Sequence, residues 1–171
     1  MKLSIKHLAF FISFSSVFIS CNFYKIASSQ YSRKFEKADL ELDSVTLMSS
    51  TYEFYRHTEK KKDTIIFIHG FGADTRFQWS EQLQSFSKEY HLILPNLLHF
   101  GNSTTNEKGY SIDFQTRQLK CLLDSLGVQR AHLIGISYGG IVAADLAYKY
   151  PEFVKKIVLV DAPIAYNSEE S

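Results

Sequence analysis

The chain has 171 residues, a length that suits one domain. Hydrophobic residues make up 45% and charged residues 22%, so it can bury a core and is not disordered by composition. A formal net charge of +1, with no basic stripe interleaved with aromatics, gives no electrostatic case for nucleic acid. Only two cysteines occur, Cys21 and Cys121, and no Cys/His cluster has zinc spacing. No disulfide framework, metal or cofactor is therefore expected.

Met1 to Ser20 reads as an export segment. Lys2 and Lys6 make a positive start. Leu8 to Ile19 is apolar and rich in Phe, but Ser13, Ser15 and Ser16 interrupt it, and it is too short for a spanning helix. The segment ends at Ser20-Cys21 and resembles a bacterial lipoprotein signal, in which a small residue precedes a Cys that is lipidated and becomes the mature N-terminus. Ser20 fits the small position, and Phe18 departs from the usual Leu-like aliphatic. The resemblance implies lipidation of Cys21 and an exported, membrane-anchored protein. An ordinary signal peptide with an incidental Cys, giving a periplasmic product, and an uncleaved anchor are the other readings. Residues 1–21 are thus expected as signal, 22–43 as a polar tether carrying Ser28, Ser29, Gln30, Ser32, Arg33 and Lys34, and 44–171 as the domain.

From residue 44 strands and helices alternate. Val45 to Leu47 and Tyr52 to Tyr55 predict a hairpin, and Lys60 to Asp63 a solvated turn. Thr64 to Ile68 is a continuous β-branched and aromatic run, the signature of a strand buried on both faces. Trp79, Leu83, Phe86 and Tyr90 recur at helical spacing and predict one helix. His91 to Leu94 is the next strand, stopped by Pro95, and Asn96 to Gly109 a polar loop. Ser111 caps a helix with Asp113 in its first turn and a stripe of Leu119, Leu122, Leu123 and Leu126, ended by Gly127. Cys121 lies in this helix as a small hydrophobe. Ala131 to Ile136 reads as a strand, Gly139 to Tyr150 as a helix closed by Pro151, and Val154 to Val160 as a last strand. This order implies right-handed βαβ units and a parallel sheet.

The chemistry is carried by Gly135-Ile136-Ser137-Tyr138-Gly139, a Gly-x-Ser-x-Gly pentapeptide between a strand and a helix. A nucleophile on so tight a turn is held in a strained backbone conformation, and residues two positions away must lack bulk. Its hydroxyl then stands above the sheet at a helix N-terminus, where N–H groups and the dipole favour negative charge. His69-Gly70-Phe71-Gly72 follows the central strand, and its glycines let the backbone fold back toward Ser137. The N–H groups of Phe71 and Tyr138 are then candidates for an oxyanion hole. His69 reads as structural.

Together these residues resemble an α/β-hydrolase of the lipase/esterase kind. The likeness runs from Val45 to Pro163 and includes Trp79, Pro95-Asn96-Leu97, Phe100-Gly101-Asn102-Ser103, Tyr150-Pro151-Glu152 and Val158 to Pro163. Within the family it is nearest to monoacylglycerol lipases and meta-cleavage-type hydrolases. Two positions depart: Asn96 stands where Asp is common, and His99 where Gly is usual. The resemblance implies an α/β fold with a mostly parallel sheet, helices on both faces, and a small-molecule ester substrate. It implies a triad in the order Ser, acid, His. None of the six histidines follows Ser137, and Asp161 comes early for the usual acid. The acid, the base, the cap and the last strands are therefore expected beyond residue 171, in a chain of about 280 to 320 residues by the sizes of one-domain folds of this kind. A short product, inert as a hydrolase, is the alternative. The leading function is ester hydrolysis through an acyl-enzyme on Ser137. The others are a non-catalytic binding protein of the same fold, or C–C hydrolase or acyltransferase chemistry.

Overall fold

The computed structural model describes residues 29–59, 61, 63–72 and 74–163. The segment expected as a signal, with Cys21, lies outside the described residues.

Seven strands form one sheet, in the order β1-β2-β4-β3-β6-β7, with β5 paired to β2. β1 (Leu40–Leu47) and β2 (Ser50–His57) are an antiparallel hairpin, and β2 joins β4 (Tyr90–Pro95) antiparallel. From there the sheet is parallel: β4 to β3 (Asp63–Ile68), β3 to β6 (Ala131–Ile136), and β6 to β7 (Val154–Val160). The two-residue β5 (Thr104–Thr105) lies inside the stretch expected as loop.

β3 shows why a continuous apolar run becomes a central strand. Successive side chains point to opposite faces. Ile66 and Ile68 pack with Leu119 and Leu123 of α4 (Ile112–Ser125) and with Val142, Ala143 and Leu146 of α5 (Tyr138–Lys149). Ile65 and Phe67 face the other way, onto Phe35 of α1 (residues 29–37), Trp79 of α2 (Thr75–Trp79) and Leu83 of α3 (Leu83–Phe86). Both faces are covered, so both sets are buried. α4 begins as expected, with the Ser111 side chain accepting from the Phe114 N–H.

Two expectations need correction. Residues 22–43 do not run as a tether where they are described. α1 occupies 29–37, and β1 starts at Leu40. Phe35 is 1% exposed and its ring lies 4.5 Å from that of Tyr55; with Tyr31 edge-on against Phe77 at 5.9 Å and Ala38 buried beside it, it docks the helix. The single helix expected over Trp79 to Tyr90 is two short ones. Gln82 N–H bonds back to Trp79 C=O and Ser85 N–H to Gln82 C=O, i to i−3 bonds that tighten the chain between them. Trp79 and Phe86 still share a core because both rings pack on Phe67, at 5.0 and 5.5 Å. Tyr90 opens β4 instead.

On the described residues β7 is the sheet's edge. Ile157, Val158, Leu159 and Val160 are all exposed, with Val158 at 50%.

Candidate active site

Ser137 sits at the carboxyl end of β6, in the position that caps α5, with φ 49° and ψ −120°. A non-glycine residue held there costs on the order of 1–3 kcal/mol, and only surrounding structure keeps it so. That structure is visible. The Ser137 N–H donates to Val160 C=O at 2.9 Å, and the Ser137 C=O accepts from Gly140 N–H at 2.9 Å and Ile141 N–H at 3.2 Å. A Cβ at Gly139 would stand 2.3 Å from His69 O and 2.4 Å from Ile68 O, inside contact distance of backbone. A Cβ at Gly135 would stand 2.4 Å from Gly139 O. Neither position accepts a side chain while the turn stays this tight.

The His69–Gly72 segment lies against the same turn. A Cβ built on Gly70 would come within 3.5 Å of Ser137 Cβ. The next ring, Phe71, is 78% exposed and packs edge-on against Phe100 at 5.5 Å and Tyr138 at 6.0 Å. Phe71, Phe100 and Tyr138 thus form an aromatic wall beside the serine, which sequence reading missed because Phe100 comes from the loop after β4. Burial raises the pKa of the Tyr138 phenol, so it stays neutral there.

His69 is fully buried and both ring nitrogens are committed. Nδ1 donates to Gly70 C=O at 2.8 Å, and Nε2 accepts the Leu97 N–H at 3.0 Å. Accepting at Nε2 requires the neutral ring. Burial lowers its pKa, while the bond to Gly70 and the charge of Asp74 partly oppose the shift. His69 therefore fixes a loop and has no free nitrogen for Ser137. His57, His91 and His132 stand at the opposite end of the sheet, where β2 ends and β4 and β6 begin. His99 has φ 72°, the left-handed conformation that suits glycine, and its Nε2 donates to Gly109 C=O while its ring stacks on Tyr110 at 4.6 Å. Asp161 follows β7, exposed, with φ 47°. No described histidine is placed against Ser137, and no group of His, Cys, Asp and Glu among the described residues could hold a metal ion.

A mostly parallel sheet with a serine at positive φ on the turn between a central strand and a helix is the strand–turn–helix arrangement of the α/β-hydrolase fold. The chain belongs to the alpha/beta hydrolase fold family, whose model matches residues 63–171. It is 33% identical to Lipase 1 of Psychrobacter immobilis over 169 residues, 92% of this chain and 52% of that protein. It is 32% identical to Epoxide hydrolase 4 of Mus musculus over 107 residues, 61% of this chain and 30% of that protein. Among solved structures, a membrane phospholipase A described as a bacterial virulence factor superposes with a TM-score of 0.77 at 25% identity, over 96% of this chain and 53% of that one. The chain thus spans about half the length, or less, of the relatives it matches.

Proposed function

We propose that Ser137 is the nucleophile of a hydrolase that cleaves carboxylic esters through an acyl-enzyme. The observation that carries this reading is the Ser137 backbone, held at φ 49° at the mouth of α5 with the Gly70 segment against its side chain. Ser137 Oγ attacks the ester carbonyl carbon, and its proton passes to a general base outside the described residues. The carbonyl oxygen becomes an oxyanion, for which the N–H groups of Phe71 and Tyr138 are the donors. Such a donor typically contributes on the order of 10²–10³ in rate, because it is aimed at charge that develops only in the transition state. The alcohol then leaves, and water releases the acid from Ser137. The aromatic wall of Phe71, Phe100 and Tyr138 favours an apolar acyl group over a charged one. The likeness to a lipase adds weight to an ester substrate.

The test is turnover of p-nitrophenyl acyl esters by the complete gene product. Ser137→Ala is expected to lower kcat by on the order of 10³-fold or more, as loss of one member of a catalytic unit does elsewhere. Equal turnover by the two proteins would overturn the reading.

A further inference from the structure

The hairpin strand β2 reaches the site through a carboxylate. Glu53 is paired into the sheet, and its two side-chain oxygens hold the loop that follows β4. Glu53 Oε1 accepts from Asn96 Nδ2 at 2.7 Å, and Oε2 from Asn102 Nδ2 at 2.6 Å. The Ser103 hydroxyl accepts the Glu53 N–H at 2.9 Å and donates to Asn96 C=O at 2.8 Å. Gly101 completes the fit. Its φ is +55°, and a Cβ there would stand 2.3 Å from Asn96 Nδ2.

Asn96 is 2% exposed and works in two directions. Its Nδ2 donates to Glu53, and its Oδ1 accepts the Thr75 N–H at 2.9 Å. The next residue, Leu97, gives its N–H to His69 Nε2. Residues 96 and 97 therefore grip the chain at His69 and again at Thr75, the two ends of the stretch that carries Gly70, Phe71 and Gly72. The Asn96 amide meets both demands at every pH, accepting an N–H at Oδ1 and donating to a carboxylate from Nδ2. The Glu53 charge decides which way the amide points.

We infer that Glu53 is a positioning residue of the hydrolase site, which holds Thr75 through the Asn96 amide and, with the neighbouring Leu97 on His69, positions the segment that presents the Phe71 N–H to Ser137. This rests on the reading of Ser137 as nucleophile. Glu53 touches no reacting atom. The Glu53 charge acts on Arg76 on α2 and on the neutral phenol of Tyr55 on β2, and Asp74 is paired to Arg76 at 3.0 Å.

The experiment uses the complete gene product with Asn96→Asp, Glu53→Gln and the two combined. Asn96→Asp keeps the shape and the acceptor for Thr75, but sets two carboxylates face to face. They cannot both stay ionised without strain, so they compete for one proton. At pH 8 its kcat on p-nitrophenyl butyrate is expected to fall at least about tenfold with KM nearly unchanged, since small misplacements of catalytic groups cost rate. The ratio of variant to wild type is expected to rise as pH is lowered toward 5. The combined variant restores a donor opposite the new carboxylate, so its kcat is expected within about threefold of wild type at every pH if the pair acts as one unit. Glu53→Gln alone keeps an acceptor for Asn96 and is expected to fall between. A pH-independent ratio for Asn96→Asp, or a combined variant no better than it, would overturn the inference. Amide exchange at Phe71 and Gly72 reads the same geometry without activity: it should speed up in Asn96→Asp and return in the combined variant. If wild type turns over no ester but exchange follows this pattern, the hydrolase reading fails and the positioning by Glu53 stands. Unchanged exchange beside an active wild type fails the positioning alone.

Discussion

β3 and β7 flank the same strand, run parallel to it and carry similar apolar runs, yet their surroundings differ completely. Ile65 to Ile68 of β3 are 0–3% exposed, whereas Ile157 to Val160 of β7 are 36–50% exposed. The difference lies in what packs on them. β3 has α4 and α5 on one face and α1 to α3 on the other, while β7 has β6 along one side and only α5 packed against it among the described helices. Ser137 stands between the two. Toward β3 it finds Gly70, the Phe71 loop and the crowding that holds its turn; toward β7 it finds the Val160 carbonyl. The proposed nucleophile and the proposed Phe71 donor meet on the side of the covered strand. An apolar run tells that a strand demands cover on both faces, but not what provides it.

The largest expected effect is on the covered side. Ile66→Ala should lower the unfolding free energy by about 2–5 kcal/mol, the usual cost of a buried aliphatic truncation. Urea denaturation of the 171-residue chain measures it. A loss under about 1 kcal/mol would mean that β3 is not the closed centre described, since even Ile→Val in a packed core costs about that much.

A smaller effect comes from the buried histidines that tie down both ends of the sheet. His69 accepts the Leu97 N–H and His57 accepts the Leu92 N–H, so each must be neutral when folded. Burial lowers both pKa values, and the Lys61 charge adds to the shift at His57. The unfolded chain therefore binds more protons than the folded one below the ordinary value of 6.5. Stability is full above that pH and falls as pH drops through it, by up to about 1.4 kcal/mol per pH unit for each ring. Unfolding curves at pH 7.5 and 5.5 should show the loss, and equal stability at both would contradict the neutral rings.

The smallest effect sharpens the contrast. Val158→Ala in the same chain should change stability by no more than about 0.5 kcal/mol, as at other exposed sites. A cost near that of Ile66→Ala would show that something covers β7.

Much of this was legible in order and little of it in depth. The last strand falls at Val154–Val160 and the strand before the elbow at Ala131–Ile136, as the runs of β-branched and aliphatic residues predict. The elbow was readable because its constraint is local: two glycines within two residues of a serine. α1 was not read, because Tyr31, Phe35 and Ala38 recur at helical spacing over only two turns of an otherwise polar stretch. The Glu53–Asn96 pair was not, because it joins residues 43 apart and depends on β2 lying antiparallel to β4, with Phe54 opposite Pro95. The departure at Asn96 was visible in the sequence; in the fold its amide bridges the Glu53 carboxylate and the Thr75 N–H. At the departure at His99 the left-handed φ is one that glycine adopts freely, and the ring there bonds Gly109 C=O and stacks on Tyr110.

Ser137, the strained serine on the covered side of β6, is the proposed nucleophile. The most direct measurement is the site of modification after brief exposure of the complete gene product to a fluorophosphonate, mapped by peptide mass spectrometry. One adduct is expected, on Ser137, absent from Ser137→Ala and slowed by a competing p-nitrophenyl ester. Labelling of another residue, or equal labelling of wild type and Ser137→Ala, would contradict it.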